Sequence, residues 1–481
     1  MIYALVAIAL AIICDCWYFP RPPLANVPTF YGWPPFGTLF WLQKNPAKTL
    51  QKWAKHHGLI QVKVGFSWIV VALTDEEVHR LWVSNASKSN SRWSSPVFSS
   101  VSMVPGFTVG STPHSTELSA TKRHFESILH AIAVSSPQFV DVVTAETNKL
   151  VGQLMEYVDD DVDPLLLFKR WHLRIVLALG YGIDADTKFP GLIDDIITTE
   201  QAIMRIRAPL SWRNWFPGSQ AARWIQRRGK YMDMLMKDML LHVNERSDSV
   251  VGQLLDRNLS MAQVSSCCLS LVSAGLDNTP LLMCHLLGQM GYHRQWQARA
   301  YDEISSKISG VRDYRQGVVV MALIQETLRS FSVLPLALPR QTTGPIGRIP
   351  PNTKLLMNAY TANHDRKRYA NADEFDPQRW LDDASLRHYG FGTGSRSCSG
   401  KIMASRMMWW ATVRVLDTFA IDHPHDTKFK MGLDPFATNA SPSATSFEPY
   451  PFKVHLTPRS NENAPMEPCV IAGNKAMSPN S

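Results

Sequence analysis

The sequence predicts a mainly α-helical protein with a smaller β-rich part. Stretches with helical character recur along the 481 residues, and the longest cover 117–133, 220–243 and 261–292. Strand character is confined to two short places, near 59–73 and near 447–456, and we predict that the second forms a β-hairpin. Because 45% of the residues are hydrophobic and 19% are charged, the chain can bury a sizeable core.

The N-terminus carries a membrane signal. Residues 2–19 are almost wholly apolar, interrupted by Asp15, and as a helix they would span about 27 Å, close to the hydrocarbon thickness of a bilayer. Basic residues begin with Arg21, which places the following domain on the cytosolic side. A cleaved signal peptide is the alternative, but its basic leading segment is missing. We predict a transmembrane anchor over 1–20 and a proline-rich linker over 21–45.

The net charge indicates which binding partners are possible, and the cysteine content indicates the redox state of the compartment. The formal net charge of +8 is mild for this length and forms no basic arm. This balance argues against a nucleic-acid partner and fits an acidic protein or an anionic membrane surface. The cysteines number seven and are scattered, which argues against a disulfide framework and for a reducing compartment.

The helix predicted over 261–292 is interrupted at its centre, in residues 273–280. Gly275 and Asp277 break an apolar run, and both carry a cost in a helix. Pro280 removes a backbone hydrogen bond, so we expect the turn before it to open and make room for a small ligand. An ordinary kink with a capped Asp is the alternative.

The decapeptide 391–400, Phe-Gly-Thr-Gly-Ser-Arg-Ser-Cys-Ser-Gly, contains the most specific pattern of the chain. Its glycines permit tight turns and the close approach of a flat ligand. Cys398 precedes an apolar helical run, and a helix N-terminus favours a thiolate. A lone thiolate held in this way suits haem iron, whereas a glycine-rich loop with a buried Cys is the alternative.

This decapeptide resembles the haem-binding loop of cytochromes P450. The resemblance implies haem b with Cys398 as the axial metal ligand, and cofactor contacts from Phe391, Arg396 and Gly400. It also implies the cytochrome P450 fold, a mostly helical single catalytic domain with a smaller β-rich part. We place this domain at 46–457, followed by a disordered polar tail over 458–481.

Residues 274–279 resemble the oxygen-binding helix of the same family. Ala274, Gly275, Asp277 and Thr279 match its pattern, whereas Asn278 stands where the family usually has Thr. By this resemblance Ala274 and Gly275 lie against the cofactor, and Asp277 with Asn278 or Thr279 relays protons. We expect Asn278 and Thr279 to act together, with the amide of Asn278 on the same helix face as Ala274.

Several charged residues also match the family. Glu326 and Arg329 are neighbours on one helix face and would be a minor surface pair in isolation. The resemblance implies instead that both lock to Arg379 in a buried network that holds the haem loop in place. It further implies that Arg340 contacts a haem propionate and that Lys122 does so as well, although Lys122 taken alone would be assigned to a solvated basic face.

The activity implied is that of a haem-thiolate monooxygenase, which inserts one oxygen atom from dioxygen into a small apolar organic molecule. Hydroxylation, epoxidation and oxidative coupling are the expected reactions. The stretch 273–280 is similar to that of fungal members, including those that act on small aromatic acids or secondary metabolites. Electrons would come from NADPH through a separate cytochrome P450 reductase, since the chain has no nucleotide-binding glycine motif. The expected location is the endoplasmic reticulum membrane, with the catalytic domain in the cytosol.

Two other functions stay open. The first alternative is an isomerase or dehydratase with the same fold, which would act without dioxygen. The presence of Asn278 in place of the usual Thr is the observation that supports it. The second alternative is a haem-binding protein without catalytic activity.

The substrate pocket is expected to lie under variable loops, near residues 94–106, 205–216, 333–336 and 441–446. The aromatic segment 209–217 is expected at the membrane or at the substrate entrance.

Overall fold

The computed structural model describes residues 21–93, 109–206, 219–310 and 313–459. The predicted membrane anchor over 1–20 lies outside the described residues. So do the whole of the predicted pocket loop at 94–106, the aromatic segment 209–217 and nearly all of the predicted tail.

The described residues are mostly helical, as predicted. Each predicted helix is present, with ends that differ by a few residues. The α-helices in chain order are α1 (Pro46–Ala54), α2 (Asp75–Val78), α3 (Thr116–Ser135), α4 (Pro137–Met155), α5 (Leu165–Tyr181), α6 (Ala185–Lys188), α7 (Leu192–Ile206), α8 (Ser219–Leu241), α9 (Val250–Leu255), α10 (Met261–Tyr292), α11 (Arg294–Lys307), α12 (Val318–Ser330), α13 (Ala359–Asn363), α14 (Gln378–Asp382) and α15 (Lys401–Thr418).

The strands form a larger and a smaller sheet. The strands are β1 (Thr29–Phe30), β2 (Leu59–Val64), β3 (Ser67–Ala72), β4 (Ser91–Arg92), β5 (Asp161–Val162), β6 (Arg340–Gln341), β7 (Lys354–Met357), β8 (Phe419–Asp422) and β9 (Val454–Pro458). The larger sheet has the order β1-β2-β3-β7-β6-β4, and the smaller has the order β5-β9-β8.

The predicted hairpin near 447–456 is wrong. The strand there, β9, pairs antiparallel with β8 and with β5, both of which are distant in sequence. Pro449 and Pro451 lie in the expected first arm, and a proline cannot donate a hydrogen bond to a sheet ladder. The β-rich end of the chain therefore joins three separate segments.

The long helix α10 runs through the middle of the core. Ser260 and Gln263 form a capping box at its start. The helix has the length and hydropathy of a membrane span, but 67% of its most apolar window is buried inside the protein, which identifies it as a core helix. It packs along α5.

Pro280 does not open α10, contrary to the expectation from the sequence. The helix is continuous from Met261 to Tyr292. A proline removes one backbone hydrogen bond, and the buried packing of residues 279–291 holds the helix together across that loss.

Candidate active site

The Cys398 loop connects a short turn of 3₁₀ helix, Gly394–Arg396, to the start of α15. The Cys398 backbone N–H donates to the Phe391 carbonyl at 2.9 Å, which closes the loop. Gly394 has a φ of +68°, and a Cβ there would lie 1.9 Å from the Trp82 carbonyl oxygen. This position therefore requires glycine. The predicted placement of Cys398 just before a helix is confirmed.

Cys398 differs from the other described cysteines in its surroundings. Its side chain is solvent-accessible, whereas Cys267, Cys268 and Cys284 are buried. Burial by the surrounding protein still raises the pKa of the Cys398 thiol, while a hydrogen bond from the Gly400 backbone N–H opposes that shift. The Cys398 side chain is thus accessible although protein surrounds it, and the space that a Cβ of Gly400 would occupy is open.

Three arginines converge beside this loop, and we refer to Arg92, Arg340 and Arg396 as the arginine cluster. Burial and mutual repulsion lower the pKa of Arg340 to about 9, and burial lowers that of Arg396 to about 10. The pKa of Arg92 lies well below its usual value for the same two reasons. Each guanidinium donates to backbone carbonyls, which are those of Gly110 and Leu338 for Arg92, Ser89 and Thr393 for Arg340, and Asn90, Val109, Gly110 and Thr112 for Arg396.

The arginine cluster has no ion pair with any carboxylate among the described residues. The Arg340 Nε is buried and has no hydrogen-bond partner there. Buried cations are expensive without a counter-charge, so this cluster fits an anionic ligand. Guanidinium groups pair especially well with carboxylates.

The centre of α10 presents two different faces. Ala274 is exposed and Asn278 is partly exposed, and the Asn278 amide Nδ2 donates to the Ala274 carbonyl at 2.7 Å. The shared face expected for these two residues is thereby confirmed. Gly275 lies on the other face, which packs closely against α5, because a Cβ there would lie 2.4 Å from His172 Nε2. Thr279 lies one turn after Gly275 and is buried, which places it on the side that packs against α5.

Asp277 is a buried carboxyl with one cationic partner. Its Oδ1 lies 3.4 Å from Lys169 Nζ of α5, and both side chains are nearly inaccessible. Burial raises the pKa of Asp277 in spite of the opposing charge of Lys169. A small cavity borders this pair, and its wall includes the ion pair between Arg205 and Glu448, whose closest atoms are 2.6 Å apart.

Glu326, Arg329 and Arg379 form the buried network expected from the sequence. Glu326 and Arg329 are both fully buried, and two parallel N–H···O bonds of 2.8 and 2.7 Å join them. Arg379 Nε lies 3.2 Å from Glu326 Oε1, and Trp380 Nε1 donates to Oε2 at 2.8 Å. Arg329 also donates to the carbonyls of Asn363, Ala372 and Glu374. The network ties α12 to the segment that precedes the Cys398 loop.

A family model described as Cytochrome P450 matches residues 27–447. This chain belongs to the cytochrome P450 family. Among solved structures, it is similar to a zebra fish cytochrome P450 with progesterone, with a TM-score of 0.73 over 86% of this chain and 99% of the other. The sequence identity to that structure is 17%, so this likeness concerns the fold.

Fungal P450 enzymes are among its relatives. A phenylacetate 2-hydroxylase from Emericella nidulans is 31% identical over 483 residues, which cover 92% of each chain. A 3-hydroxyphenylacetate 6-hydroxylase from the same organism is 27% identical and covers 91% of this chain and 90% of the relative. The relatives are named hydroxylases and monooxygenases, which makes this P450 an oxidoreductase.

Membership of the family implies a haem with thiolate-ligated iron, and the described residues fit that group. The accessible sulfur of Cys398 can supply the thiolate. The arginine cluster can hold the propionate carboxylates, and the open space at Gly400 leaves room for a flat ring. Ala274 presents the exposed small side chain that the resemblance assigns to the cofactor side of α10.

Other sequence-based assignments stay predictions. Lys122 makes an ion pair with Glu126 on its own helix and is not part of the arginine cluster. Gly275 is explained by its packing against His172, and the structure adds no cofactor contact for it. Phe391 contributes its carbonyl to the closure of the Cys398 loop.

Two residues of the site, Arg92 and Lys169, were not predicted from the sequence. Arg92 lies directly opposite Arg340 in the register between β4 and β6, which brings both to the arginine cluster. Lys169 is 3% exposed within the apolar helix α5. A lysine in the middle of an apolar helix was the available signal, because a fully buried lysine needs a partner.

Proposed function

We propose that this P450 hydroxylates a small aromatic carboxylic acid, using one oxygen atom of dioxygen and electrons from NADPH delivered by a separate reductase. The observation that carries the haem chemistry is the accessible Cys398 sulfur next to the arginine cluster. The substrate class is supported by nearly full-length similarity to a phenylacetate 2-hydroxylase and a 3-hydroxyphenylacetate 6-hydroxylase. Both relatives are fungal, and a role in fungal secondary metabolism is included in the proposal.

The residues of the site have different roles in the proposed reaction. When bound, haem supplies the activation of dioxygen and the insertion of one oxygen atom into the substrate. Cys398 provides the thiolate, and the Gly400 N–H stabilises its negative charge. The arginine cluster would hold the propionate carboxylates of the cofactor and neutralise their charge. Glu326, Arg329 and Arg379 keep the backbone before the loop in place, so that the sulfur is positioned before any ligand binds.

Substrate identity is tested by spectral titration of the haem-loaded protein with phenylacetate and with 2-phenylethanol. The alcohol is a matched control because it keeps the aromatic ring and lacks the carboxylate. We expect phenylacetate to change the haem spectrum at lower concentration and to yield a ring-hydroxylated product by mass spectrometry. Equal responses to the acid and the alcohol, or no hydroxylated product, would reject the aromatic-acid class.

Asp277 is suited to deliver protons because burial keeps it protonated to higher pH than an ordinary carboxyl. The protonated fraction falls as the pH rises through its raised pKa, so kcat is expected to decrease in that direction. Asp277→Asn removes the acid, and we expect a loss of about 10²- to 10⁴-fold in kcat together with a flatter pH profile.

The control for Asp277 is Asp194→Asn, which changes an exposed carboxylate paired with Arg170. It is expected to leave both the rate and the pH profile unchanged. A fully active Asp277→Asn enzyme with the wild-type pH profile would show that Asp277 carries no proton in the reaction.

Asn278 and Thr279 lie on different faces of α10. Asn278 shares the accessible face with Ala274, and its side-chain oxygen remains an acceptor, whereas Thr279 is buried on the α5 side. A hydrogen bond contributes about 1 kcal/mol, so Asn278→Ala is expected to lower the product formed per NADPH roughly fivefold. Thr279→Ala is expected to lower it less, and Asn278→Thr to keep or raise it. A larger loss from Thr279→Ala than from Asn278→Ala would contradict this assignment.

Attachment to the endoplasmic reticulum membrane is part of the proposal. An exposed aromatic surface follows the predicted anchor, with Trp33 71%, Phe40 53% and Trp41 47% exposed, and Phe66 46% exposed in the turn between β2 and β3. Trp and Phe side chains are favourable at a membrane interface. This surface supports a cytosolic domain that rests against the bilayer.

Deleting residues 1–20 is expected to move the protein from the membrane pellet toward the soluble fraction. Partial retention is expected through the aromatic surface, and Trp33→Ser combined with Trp41→Ser in the deleted protein should reduce it further. An unchanged pellet fraction for the deletion in high salt and mild detergent would show that residues 1–20 are not the main anchor.

A further inference from the structure

The small sheet brings together a carboxylate and two imidazoles from three distant segments. Asp161 in β5 is the direct register partner of His455 in β9. His455 also faces Asp422, the last residue of β8, and His425 follows that strand by three residues. Since the sheet order is β5-β9-β8, the fold itself fixes this juxtaposition.

The three side chains point at one another closely. His425 Nδ1 lies 2.9 Å and His455 Nδ1 lies 3.4 Å from the same oxygen, Asp161 Oδ1. One ligand atom from each residue lies within 4.8 Å of the other two. Ligands of tetrahedral zinc at bond lengths of about 2.0–2.1 Å are about 3.3 Å apart, so only small side-chain shifts separate this arrangement from a coordination sphere.

A simple Asp–His hydrogen bond explains His425 but not His455. The His455 Nδ1 is buried and makes no hydrogen bond with any described residue, although it faces the carboxylate. An unsatisfied buried nitrogen is destabilising, and a cation between Nδ1 and Oδ1 would satisfy it. The two rings meet edge to face with centroids 4.3 Å apart, which leaves both Nδ1 atoms on the carboxylate side.

The carboxylate is already oriented for such a role. Asp161 Oδ2 accepts the His425 backbone N–H at 2.7 Å, so Oδ1 is left for the two imidazoles. Hydrogen bonds of this kind fix the orientation of metal ligands. The His425 side chain is 70% exposed, which gives an ion a route from solvent and leaves space for a water ligand.

We propose that Asp161, His425 and His455 bind a divalent transition-metal cation, with Zn²⁺ the best match to two imidazoles and one carboxylate. The site is separate from Cys398 and from the proposed oxidation chemistry. Because its ligands come from β5, β9 and the segment after β8, the bound ion would join the C-terminal strands to β5.

The test is equilibrium dialysis of Zn²⁺ against the haem-loaded full chain, purified without a polyhistidine tag and treated with a chelator. We expect one more Zn²⁺ per chain in the wild type than in His455→Gln and in Asp161→Asn. His130→Ala, which removes an exposed histidine on α3, is the matched control and is expected to keep the wild-type stoichiometry.

His425→Ala keeps the proposal testable if the more buried variants fail to fold. Its side chain is largely exposed and its backbone N–H to Asp161 is retained, so the fold should persist while Zn²⁺ affinity falls at least tenfold. Zn²⁺ should also raise the Tm of the wild type and leave that of His425→Ala nearly unchanged. Equal Zn²⁺ binding and equal Tm shifts in the wild type and His425→Ala would overturn the proposal.

Discussion

Cys398→Ala is expected to abolish the long-wavelength Soret band of the reduced, carbon monoxide-bound protein. That band reports thiolate ligation, and Cys398 is the described cysteine whose sulfur is accessible. The other described cysteines lie in α10 with buried side chains, so their sulfurs are not accessible to haem iron. The measurement is the difference spectrum of the purified protein, scaled to haem content.

Two controls separate ligation from folding. Cys284→Ala removes a buried thiol from the core helix α10 and is expected to keep the band. Cys398→Ser keeps the size of the side chain, so it should retain some haem while losing the thiolate signature. If Cys398→Ala kept the long-wavelength band, Cys398 would not be the iron ligand.

Glu326→Ala is expected to give little haem-loaded protein. The change leaves the Arg329 guanidinium buried without its carboxylate, and Arg379 and Trp380 lose a partner at the same time. Breaking a buried ion pair in this way costs roughly 3–5 kcal/mol, which is a large part of the stability of a domain. Haem content per chain and the free energy of unfolding are the quantities to measure.

Asp373→Ala is the matched control, because Asp373 pairs with Arg366 on the surface nearby, with 69% of its side chain exposed. An exposed pair contributes at most about 1 kcal/mol, so haem content should be unchanged. Normal haem content and stability in Glu326→Ala would refute the structural role of the network.

The helices could be predicted from the sequence because their signals are local. The capping residue Ser260 and the apolar run of α10 lie next to each other in the chain, and the helix begins and ends where expected. The partners of β9 could not be predicted in the same way, since they lie at β5 and β8 and depend on the tertiary fold. The continuity of α10 across Pro280 has the same cause, because neighbouring elements decide whether a missing hydrogen bond ends a helix.

The parts of the site that lie in one short motif could be predicted from the residues themselves. Arg379 was assigned through the family resemblance, and other contacts between distant segments were missed. Cys398 and its glycines lie within ten residues, and Glu326 with Arg329 lies on one helix turn. Arg92, by contrast, joins Arg340 only through the pairing of β4 with β6. Lys169 meets Asp277 only because α5 packs along α10.

The most direct test of the central proposal, that this P450 is an oxygen-inserting aromatic-acid hydroxylase, is turnover of phenylacetate with NADPH, reductase and isotope-labelled dioxygen. The proposal predicts a hydroxylated product that carries one labelled oxygen atom, with none formed when NADPH or dioxygen is omitted. Product formed at the full rate under anaerobic conditions without NADPH, as an isomerase or dehydratase would give, would contradict it. So would a hydroxyl group whose oxygen comes from water.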